Sequence, residues 1–264
     1  MRRREPPKRP ILRIVADAGF EAEARSWAER LEVAYGPGPA DLIVEIGASG
    51  PRIGADQGPG GGEAAAWTFD LSRARPGAEP VVRAVRGRRS AAGLWVVDAT
   101  AGLGADAATL WRSGMRVTMI ERDALVAALL EAAIERLVRH TSGLERLELM
   151  IGDSSELLPQ LHGRPDVVYL DPMYPRRRGG AKRRGAAWLR SWLGERSVVD
   201  DEADLRLLDL ARAVARSRVV VKRPVKAPPL AKRPSGAVCG STTRFDIYAP
   251  ESHGDAEGVG RSQG

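Results

Sequence analysis

The sequence predicts an α/β protein with a mostly parallel, doubly wound sheet, a C-terminal antiparallel hairpin and a small N-terminal α/β extension. Two observations support this prediction. Short apolar segments alternate with amphipathic helical segments between about residues 94 and 222, which is typical of doubly wound sheets. Residues 94–107 also read as a buried strand, a glycine turn and the start of a helix, the unit from which such sheets are built.

The main domain is predicted to span residues 81–250. Its predicted strands are 94–98, 116–120, 147–151, 166–170 and 218–222, followed by a hairpin of 237–239 and 244–248. Its predicted helices are 104–113, 123–139, 155–161 and 202–215, with Asp123 and Ser154 as helix caps. Residues 223–236 contain too many prolines for a regular helix, so we expect an extended, basic crossing there.

Residues 1–80 are predicted to form the extension, and residues 251–264 a disordered tail. The extension has predicted strands at 11–15, 41–46 and 67–71, a helix at 21–31 and a loop at 47–62. Residues 1–10 carry five basic side chains among three prolines, which predicts a mobile arm. A basic segment at 80–89, with Val81, Val82 and Val85 on one predicted helix face, leads into the glycine-turn strand.

Composition narrows the class of protein. The 264 residues carry a formal net charge of +7 and a sequence pI near 10.0, which favours a polyanionic partner such as nucleic acid. No apolar run approaches the length needed to cross a bilayer, and the basic N-terminus lacks the apolar core of a signal peptide. With a single cysteine, these features lead us to expect a soluble cytoplasmic protein.

The glycine turn predicts a binding site for a nucleotide-like cofactor. Gly102 and Gly104 let the backbone turn sharply and approach a ligand closely, although G-x-G-x-x-A alone is a weak signal shared with dinucleotide-binding proteins. Glu121 ends the next predicted strand, where a carboxylate accepts hydrogen bonds from ribose hydroxyls. Arg122 is expected to lie against the adenine ring, and residues 153–155 to reach its rim.

The segment Asp171 to Pro175 predicts the chemistry. The Asp171 carboxylate and carbonyls beside two prolines form a cluster of acceptors at the end of the fourth strand, which suits a planar amine. Tyr174 offers a ring on which a base stacks. An acceptor cluster for an amine followed by an aromatic ring is typical of an amino-methyltransferase. Methylation at nitrogen is favoured over carbon, because methylation of a pyrimidine carbon needs a cysteine nucleophile near the donor, and Cys239 lies in a late strand and is expected in the core. The scattered histidines, His140, His162 and His253, give no support to a metal site or a histidine base.

Basic side chains follow this segment and are predicted to bind nucleic-acid phosphates. They run from Arg176 to Arg190, interleaved with Trp188 and close to Trp192. Further basic residues are expected to extend the same edge; they are Lys222, Arg223, Lys226, Lys232 and Arg233.

Taken in order, these motifs resemble the ribosomal RNA small subunit methyltransferase J family over about residues 80–249. The motifs are VVDATAGLGAD, MIERD, GDSSELL, DVVYLDPMYP, VVVKRP and RFDIY. The resemblance implies a class I, Rossmann-like methyltransferase that transfers a methyl group from S-adenosylmethionine to the N2 amine of a guanine near the 3′ end of 16S rRNA. It also implies donor contacts at Ala105, Asp106, Glu121, Arg122, Ser154, Ser155 and Asp171. The implied partner is 16S rRNA or the small ribosomal subunit, with no membrane and no metal.

The family usually has a basic residue where this chain has Ala105, so that contact is expected through the backbone alone. Three alternatives stay open on the residues themselves. The acceptor cluster also suits another RNA amine such as adenine N6, the fold also suits a non-catalytic RNA-binding assembly factor, and the glycine motif also suits a nicotinamide-dependent oxidoreductase. The sequence predicts no particular oligomeric state.

Overall fold

Two β-sheets organise the chain. The computed structural model describes residues 10–55, 67–68, 71–73, 79–138, 146–172, 192 and 201–251. In these residues a five-stranded sheet precedes residue 80 and a seven-stranded sheet follows it. None of the helices described has the length and apolarity needed to cross a membrane.

The strands of the first sheet are β1 (Leu12–Ala16), β2 (Ala34–Tyr35), β3 (Leu42–Ile46), β4 (Arg52–Ala55) and β5 (Trp67–Thr68). Those of the second are β6 (Trp95–Asp98), β7 (Arg116–Glu121), β8 (Leu147–Ile151), β9 (Val167–Leu170), β10 (Arg218–Pro224), β11 (Gly236–Cys239) and β12 (Thr243–Tyr248). The helices are α1 (Glu21–Leu31), α2 (Pro80–Arg86), α3 (Ala105–Arg112), α4 (Ala124–Val138), α5 (Ser154–Leu157) and α6 (Asp201–Val214). Short 3₁₀ turns cover Leu71–Arg73 and Leu158–Gln160.

The first sheet has the order β2-β1-β3-β4-β5. The helix prediction for residues 21–31 is confirmed, with Ala24 and Ala28 buried against the sheet. The loop predicted at 47–62 is wrong in part, because β4 pairs antiparallel with β3 along its whole length. Of the strand predicted at 67–71, Trp67 and Thr68 pair with β4, whereas Leu71 begins a 3₁₀ turn, so the predicted end of this strand is wrong.

One ion-pair triad lies in the first sheet. The Arg52 guanidinium donates hydrogen bonds at 3.2 Å to both Asp17 oxygens and reaches Glu45 Oε2 at 2.8 Å. These side chains keep 35–39% of their surface exposed. Burial, followed by the neighbouring Asp17, raises the pKa of Glu45 against the opposing effect of Arg52.

The second sheet has the order β11-β12-β10-β9-β6-β7-β8. Five neighbouring strands, β8-β7-β6-β9-β10, are parallel. The strand β12 pairs antiparallel with both β10 and β11. This arrangement confirms the predicted mostly parallel sheet with a C-terminal antiparallel hairpin. Parallel strands place their carboxyl ends at one edge, so the loops after β6 to β10 converge there.

Helices cover both faces of the second sheet, as expected for buried parallel strands. On one face, alternate strand residues such as Val96 and Val220 pack with α2, α3 and α4 in a core that continues into the first sheet. On the other face, Val97 and Val221 pack with α5 and α6. An ion pair of 2.6 Å between Arg30 on α1 and Glu131 on α4 also links the two parts.

Of three further predictions about the second sheet, one is correct, one is wrong and one is correct in part. The helix predicted at 155–161 is a single α turn followed by a 3₁₀ turn that contains Pro159. The crossing after β10 contains no helix over residues 225–235, as predicted, and the Tyr248 hydroxyl binds the Ala231 backbone there at 3.1 Å. The prediction that Cys239 lies in the core is wrong, because β11 is an edge strand and this cysteine is exposed.

Candidate active site

The glycine turn after β6 has the predicted conformation. Gly102 and Gly104 both have positive φ, at 50° and 66°, a region that favours glycine. Gly104 is the N-cap of α3, and a Cβ there would lie 2.7 Å from Leu130 Cδ1. At position 104 both the close packing and the backbone conformation therefore favour a glycine.

Glu121 at the end of β7 is bonded to this turn. Its Oε2 accepts a hydrogen bond of 2.8 Å from the Gly102 amide, and its Oε1 accepts one of 2.8 Å from the Asp123 amide. Burial raises the pKa of Glu121, against the opposing effect of these two amides. The structure thus brings together the glycine and the carboxylate that the sequence assigned to the cofactor.

The residues after β8 form the rim of this region. Asp153 accepts hydrogen bonds from both the Ser155 amide (2.8 Å) and its hydroxyl (2.6 Å), which lower the pKa of the Asp153 carboxyl. Arg122 reaches Asp153 at 3.4 Å. The prediction of Ser154 as helix cap is wrong: Asp153 caps α5, and the buried Ser154 hydroxyl donates to the Ala99 carbonyl at 2.6 Å.

A second group of residues lies where α3 meets the ends of β9 and β10. Lys222 Nζ donates hydrogen bonds to Asp106 Oδ2 (2.6 Å) and to Asp171 Oδ2 (2.8 Å). The Tyr169 hydroxyl donates to the same Asp106 oxygen at 2.6 Å. We call this group, together with Asp98, the acidic cluster.

Burial and the neighbouring carboxylates shift the pKa values of three groups in this cluster. Asp98 is 1% exposed, and burial raises its pKa to about 8, with Asp106 and Asp171 adding to the shift. Burial, followed by the nearby carboxylates, raises the pKa of the Tyr169 phenol. For Lys222, burial alone would lower the pKa, but the charges of Asp171 and Asp106 outweigh it and raise the pKa.

Thr100 links the glycine turn to this cluster. Its amide donates to Asp98 Oδ1 at 3.1 Å, and its hydroxyl oxygen accepts a hydrogen bond of 2.6 Å from the Asp171 amide. The loops after β6 and β9 are therefore held together by a side chain that lies between the two predicted binding motifs.

Sequence reasoning missed several members of the cluster. The sequence predicts Asp98 only as a strand end, and it predicts no role for Tyr169 or for Thr100, which lies beside the cluster. Lys222 and Arg223 were predicted to bind nucleic-acid phosphates, and this is wrong: Lys222 binds two carboxylates, and Arg223 is buried and donates to the Pro228 carbonyl at 3.2 Å. Side-chain alternation along β10 gives no signal that separates the two residues, because helices cover both faces of this strand.

Other predicted residues have different positions. Ala105 is the first residue of α3 and is exposed, while Lys226, Lys232 and Arg233 are exposed on the crossing. Tyr174 and the basic residues 176–190 lie outside the described residues. Trp192 is described: its indole Nε1 donates to both Asp123 oxygens, at 3.0 and 3.1 Å. Asp123 also caps α4, as predicted, by accepting from the Leu125 and Val126 amides.

These residues fit S-adenosylmethionine, the donor that the resemblance implies. A Cβ built on Gly102 would meet nothing nearer than the Thr100 carbonyl oxygen at 3.8 Å, so the turn is open to a close ligand. Glu121 supplies a carboxylate beside this turn, as ribose hydroxyls require. The acidic cluster supplies negative charge at the start of α3, which suits a cationic sulfonium group.

Comparisons with known proteins agree with this geometry. A family model described as putative SAM-dependent methyltransferase (SAM is S-adenosylmethionine) matches residues 65–250. Ribosomal RNA small subunit methyltransferase J of Alkalilimnicola ehrlichii is 38% identical over 266 residues, covering 91% of this chain and 96% of that protein. The protein of the same name from Halorhodospira halophila is 37% identical and covers 89% and 92%, respectively.

A solved structure extends the agreement to three dimensions. The crystal structure of a SAM-dependent methyltransferase from Neisseria gonorrhoeae has a TM-score of 0.69 and 28% sequence identity, covering 95% of this chain and 100% of that one. Both sheets are therefore included in the match. From the site geometry and these relatives together, we conclude that the chain belongs to the ribosomal RNA small subunit methyltransferase J family of SAM-dependent methyltransferases.

Proposed function

We propose that this protein transfers a methyl group from S-adenosylmethionine to the exocyclic N2 amine of a guanine in the 16S RNA of the small ribosomal subunit. The observation that carries the proposal is the position of Asp171, which stands at the end of β9 beside the glycine turn and within the acidic cluster. The names of the relatives support ribosomal RNA as the substrate class. Such a substrate would place the reaction in the cytoplasm.

The residues around the glycine turn are proposed to hold the donor. Gly102 and Gly104 offer the backbone of the turn, and Glu121 accepts from ribose hydroxyls. Arg122 and Ser155 form the adenine rim, together with Asp153. When bound, S-adenosylmethionine supplies an electrophilic methyl group attached to a positively charged sulfur.

Asp171 is proposed to act on the amine. The lone pair of an exocyclic amine is delocalised into the base, which makes the nitrogen a poor nucleophile. A carboxylate that accepts one N–H hydrogen bond localises electron density on the nitrogen and fixes its direction. Most of the rate enhancement then comes from positioning, because in-line attack needs the reacting atoms at about 3–3.5 Å. The amine proton leaves to water after transfer.

Two predicted substrate contacts fall outside the described residues. Tyr174 is proposed to stack on the guanine, since it follows Asp171 by three positions. The basic residues 176–190 are proposed to bind RNA phosphates beside the base. Exposed Lys226, Lys232 and Arg233 on the crossing are candidates for the same task.

The test is methyl transfer from labelled S-adenosylmethionine to 30S subunits that lack the modification, followed by nucleoside analysis. We expect N2-methylguanosine in 16S rRNA, and no label in 50S subunits used as a control. Label in N6-methyladenosine would instead favour the other RNA amine. Binding of S-adenosylmethionine is measured separately by calorimetry, and RNA binding without donor binding would favour a non-catalytic assembly factor.

A further inference from the structure

We propose that Lys222 is a positioning residue for methyl transfer: its ammonium group holds the Asp106 and Asp171 carboxylates in one orientation and sets the charge of the acidic cluster. This role rests on the proposed function, because Asp171 acts on the substrate amine there. Lys222 contacts the proposed site through these two carboxylates, at 2.6 and 2.8 Å.

The geometry holds Asp171 from two sides. Val221 is in register with Leu170 in the parallel pair β10–β9, so the next residue of β10, Lys222, lies alongside Asp171. The ammonium binds the Asp171 carboxylate at 2.8 Å, while Thr100 accepts from the Asp171 backbone amide at 2.6 Å. A carboxylate restrained at both its side chain and its backbone has few orientations left to it, as pre-organised catalysis requires.

The same ammonium also holds α3 to the sheet. Asp106 lies in the first turn of α3, and its Oδ2 receives both the Lys222 ammonium and the Tyr169 hydroxyl, each at 2.6 Å. Lys222 therefore connects the helix that follows the glycine turn with the strand end that carries Asp171. Together with Tyr169, which binds the same Asp106 oxygen, it links the proposed donor site to the proposed acceptor site.

The charge balance of the cluster depends on Lys222. Asp98 holds a proton at neutral pH, because burial raises its pKa to about 8, and the buried Tyr169 phenol is neutral. Lys222 places an ammonium within 2.8 Å of both the Asp106 and the Asp171 carboxylates. Loss of the ammonium would remove this opposite charge from both carboxylates, which favours their protonated forms.

Two of the three side chains are more shielded than those of the Arg52 triad. Lys222 is 24% exposed, Asp106 25% and Asp171 39%, compared with 35–39% in the Arg52 triad of the first sheet. Interactions between charges are stronger where less water screens them. Arg52→Met is thus a matched control, because it removes a cation from between two carboxylates elsewhere in the same chain.

The experiment compares Lys222→Met, Lys222→Arg and Arg52→Met with wild type. We expect Lys222→Met to lower kcat about 100-fold with little change in KM for 30S subunits. In the pH–rate profile of Lys222→Met, the midpoint of the acid limb should rise by about one pH unit, because the carboxylates lose a neighbouring positive charge. Lys222→Arg should restore the wild-type acid limb, and Arg52→Met should change neither quantity.

Binding of S-adenosylhomocysteine, measured by calorimetry, separates positioning from a structural role. We expect Lys222→Met to change this affinity less than about threefold while kcat falls. Parallel losses of kcat, affinity and thermal stability would overturn the proposal, as would an unchanged acid limb. If Lys222→Met does not fold, Lys222→Arg decides: an acid limb displaced despite the retained charge would contradict the role.

A third readout does not depend on the RNA substrate. The destabilisation caused by Lys222→Met should grow between about pH 3 and about pH 6, because an Asp carboxyl ordinarily ionises at about pH 4 and the lost ion pairs exist only where the carboxylates are ionised. A destabilisation independent of pH would overturn the proposed charge role. Absence of methyl transfer by the wild type would count against the proposed function, whereas the pH dependence of unfolding would still decide whether Lys222 compensates these carboxylates.

Discussion

Each sheet of this protein places one cation between two carboxylates, but the two triads have different surroundings. Arg52 lies between Asp17 and Glu45 at the surface of the first sheet. Lys222 lies between Asp106 and Asp171, next to a glycine turn, a helix N-terminus and the buried Asp98. The charges alone are nearly the same, so the site is distinguished by what surrounds them: parallel strand ends that converge, an open backbone turn and partial exclusion of water.

The largest expected effect separates the two triads by activity. Asp171→Asn should lower methyl transfer at least about 100-fold, because a neutral amide no longer offers the anionic acceptor that localises the amine lone pair. Asp17→Asn in the first sheet should change activity less than about twofold. Labelled methyl transfer to 30S subunits measures both, with circular dichroism as the folding control. Equal losses in the two variants would remove the distinction between the triads.

The next effect compares two glycines with positive φ. Gly104→Ala should destabilise the protein by about 3 kcal/mol, because its Cβ meets Leu130 at 2.7 Å and Leu71 at 3.2 Å. A Cβ on Gly36, which follows β2, would meet nothing within 4 Å, so Gly36→Ala should cost only about 1 kcal/mol of backbone strain. Urea denaturation gives both values; similar costs would show that packing around Gly104 relaxes easily.

A pH-dependent effect compares a fully buried carboxyl, Asp98, with a partly exposed one, Glu45. The pKa of Asp98 in the folded protein, about 8, lies above its ordinary value, so the native state holds a proton that the unfolded state releases. Stability from this group is therefore lost as pH rises from about 4 to about 8. Asp98→Asn keeps the acceptor for Thr100 and should gain relative to wild type by up to about 1.4 kcal/mol per pH unit in that window.

Glu45→Gln provides the counterpart in the first sheet. The pKa of Glu45 is raised by burial too, but its side chain is 35% exposed and bound to Arg52. We expect a much shallower pH dependence than for Asp98→Asn. Denaturation curves at pH 4, 6 and 8 compare them, and a steeper slope for Glu45→Gln would reverse the assignment of the more strongly buried acid.

The smallest expected effect is the stability change in Arg52→Met. Ion pairs with this much exposure contribute about 0–1 kcal/mol, and we expect a loss within that range by urea denaturation. A loss above about 2 kcal/mol would mean that the first triad is as strongly desolvated as the second.

Regular alternation made most of the fold predictable. The strands β6 to β10 and the helices α1, α3 and α4 follow apolar periodicities that local sequence records, and Glu121 was placed near the glycine turn because both end neighbouring strands. Residues 52–55 were misread as loop, because surrounding glycines and prolines conceal a strand that exists only through pairing with β3. The cap of α5 is Asp153 and not the predicted Ser154 for a similar reason, since cap geometry depends on the direction of the preceding strand.

Lys222 shows most clearly where sequence reasoning stopped. Its neighbours in sequence are Arg223 and Lys226, so a basic surface was the natural interpretation. The carboxylates that it binds are 51 and 116 positions away in the chain. Because Lys222 and Arg223 are consecutive and both basic, nothing in the local sequence shows which of them binds carboxylates inside the protein.

The sequence by itself determined the class of fold, the glycine turn, the carboxylate of Glu121 and the acceptor segment at Asp171, because each depends on spacing along a strand, turn or helix. Only the tertiary structure decided which charges meet: that Asp98 is a buried neutral acid, that Tyr169 and Lys222 share one oxygen of Asp106, and that Arg52 forms a similar triad outside the site. The physical reason is that pKa, ion pairing and desolvation depend on distances through space between residues that are distant in the chain.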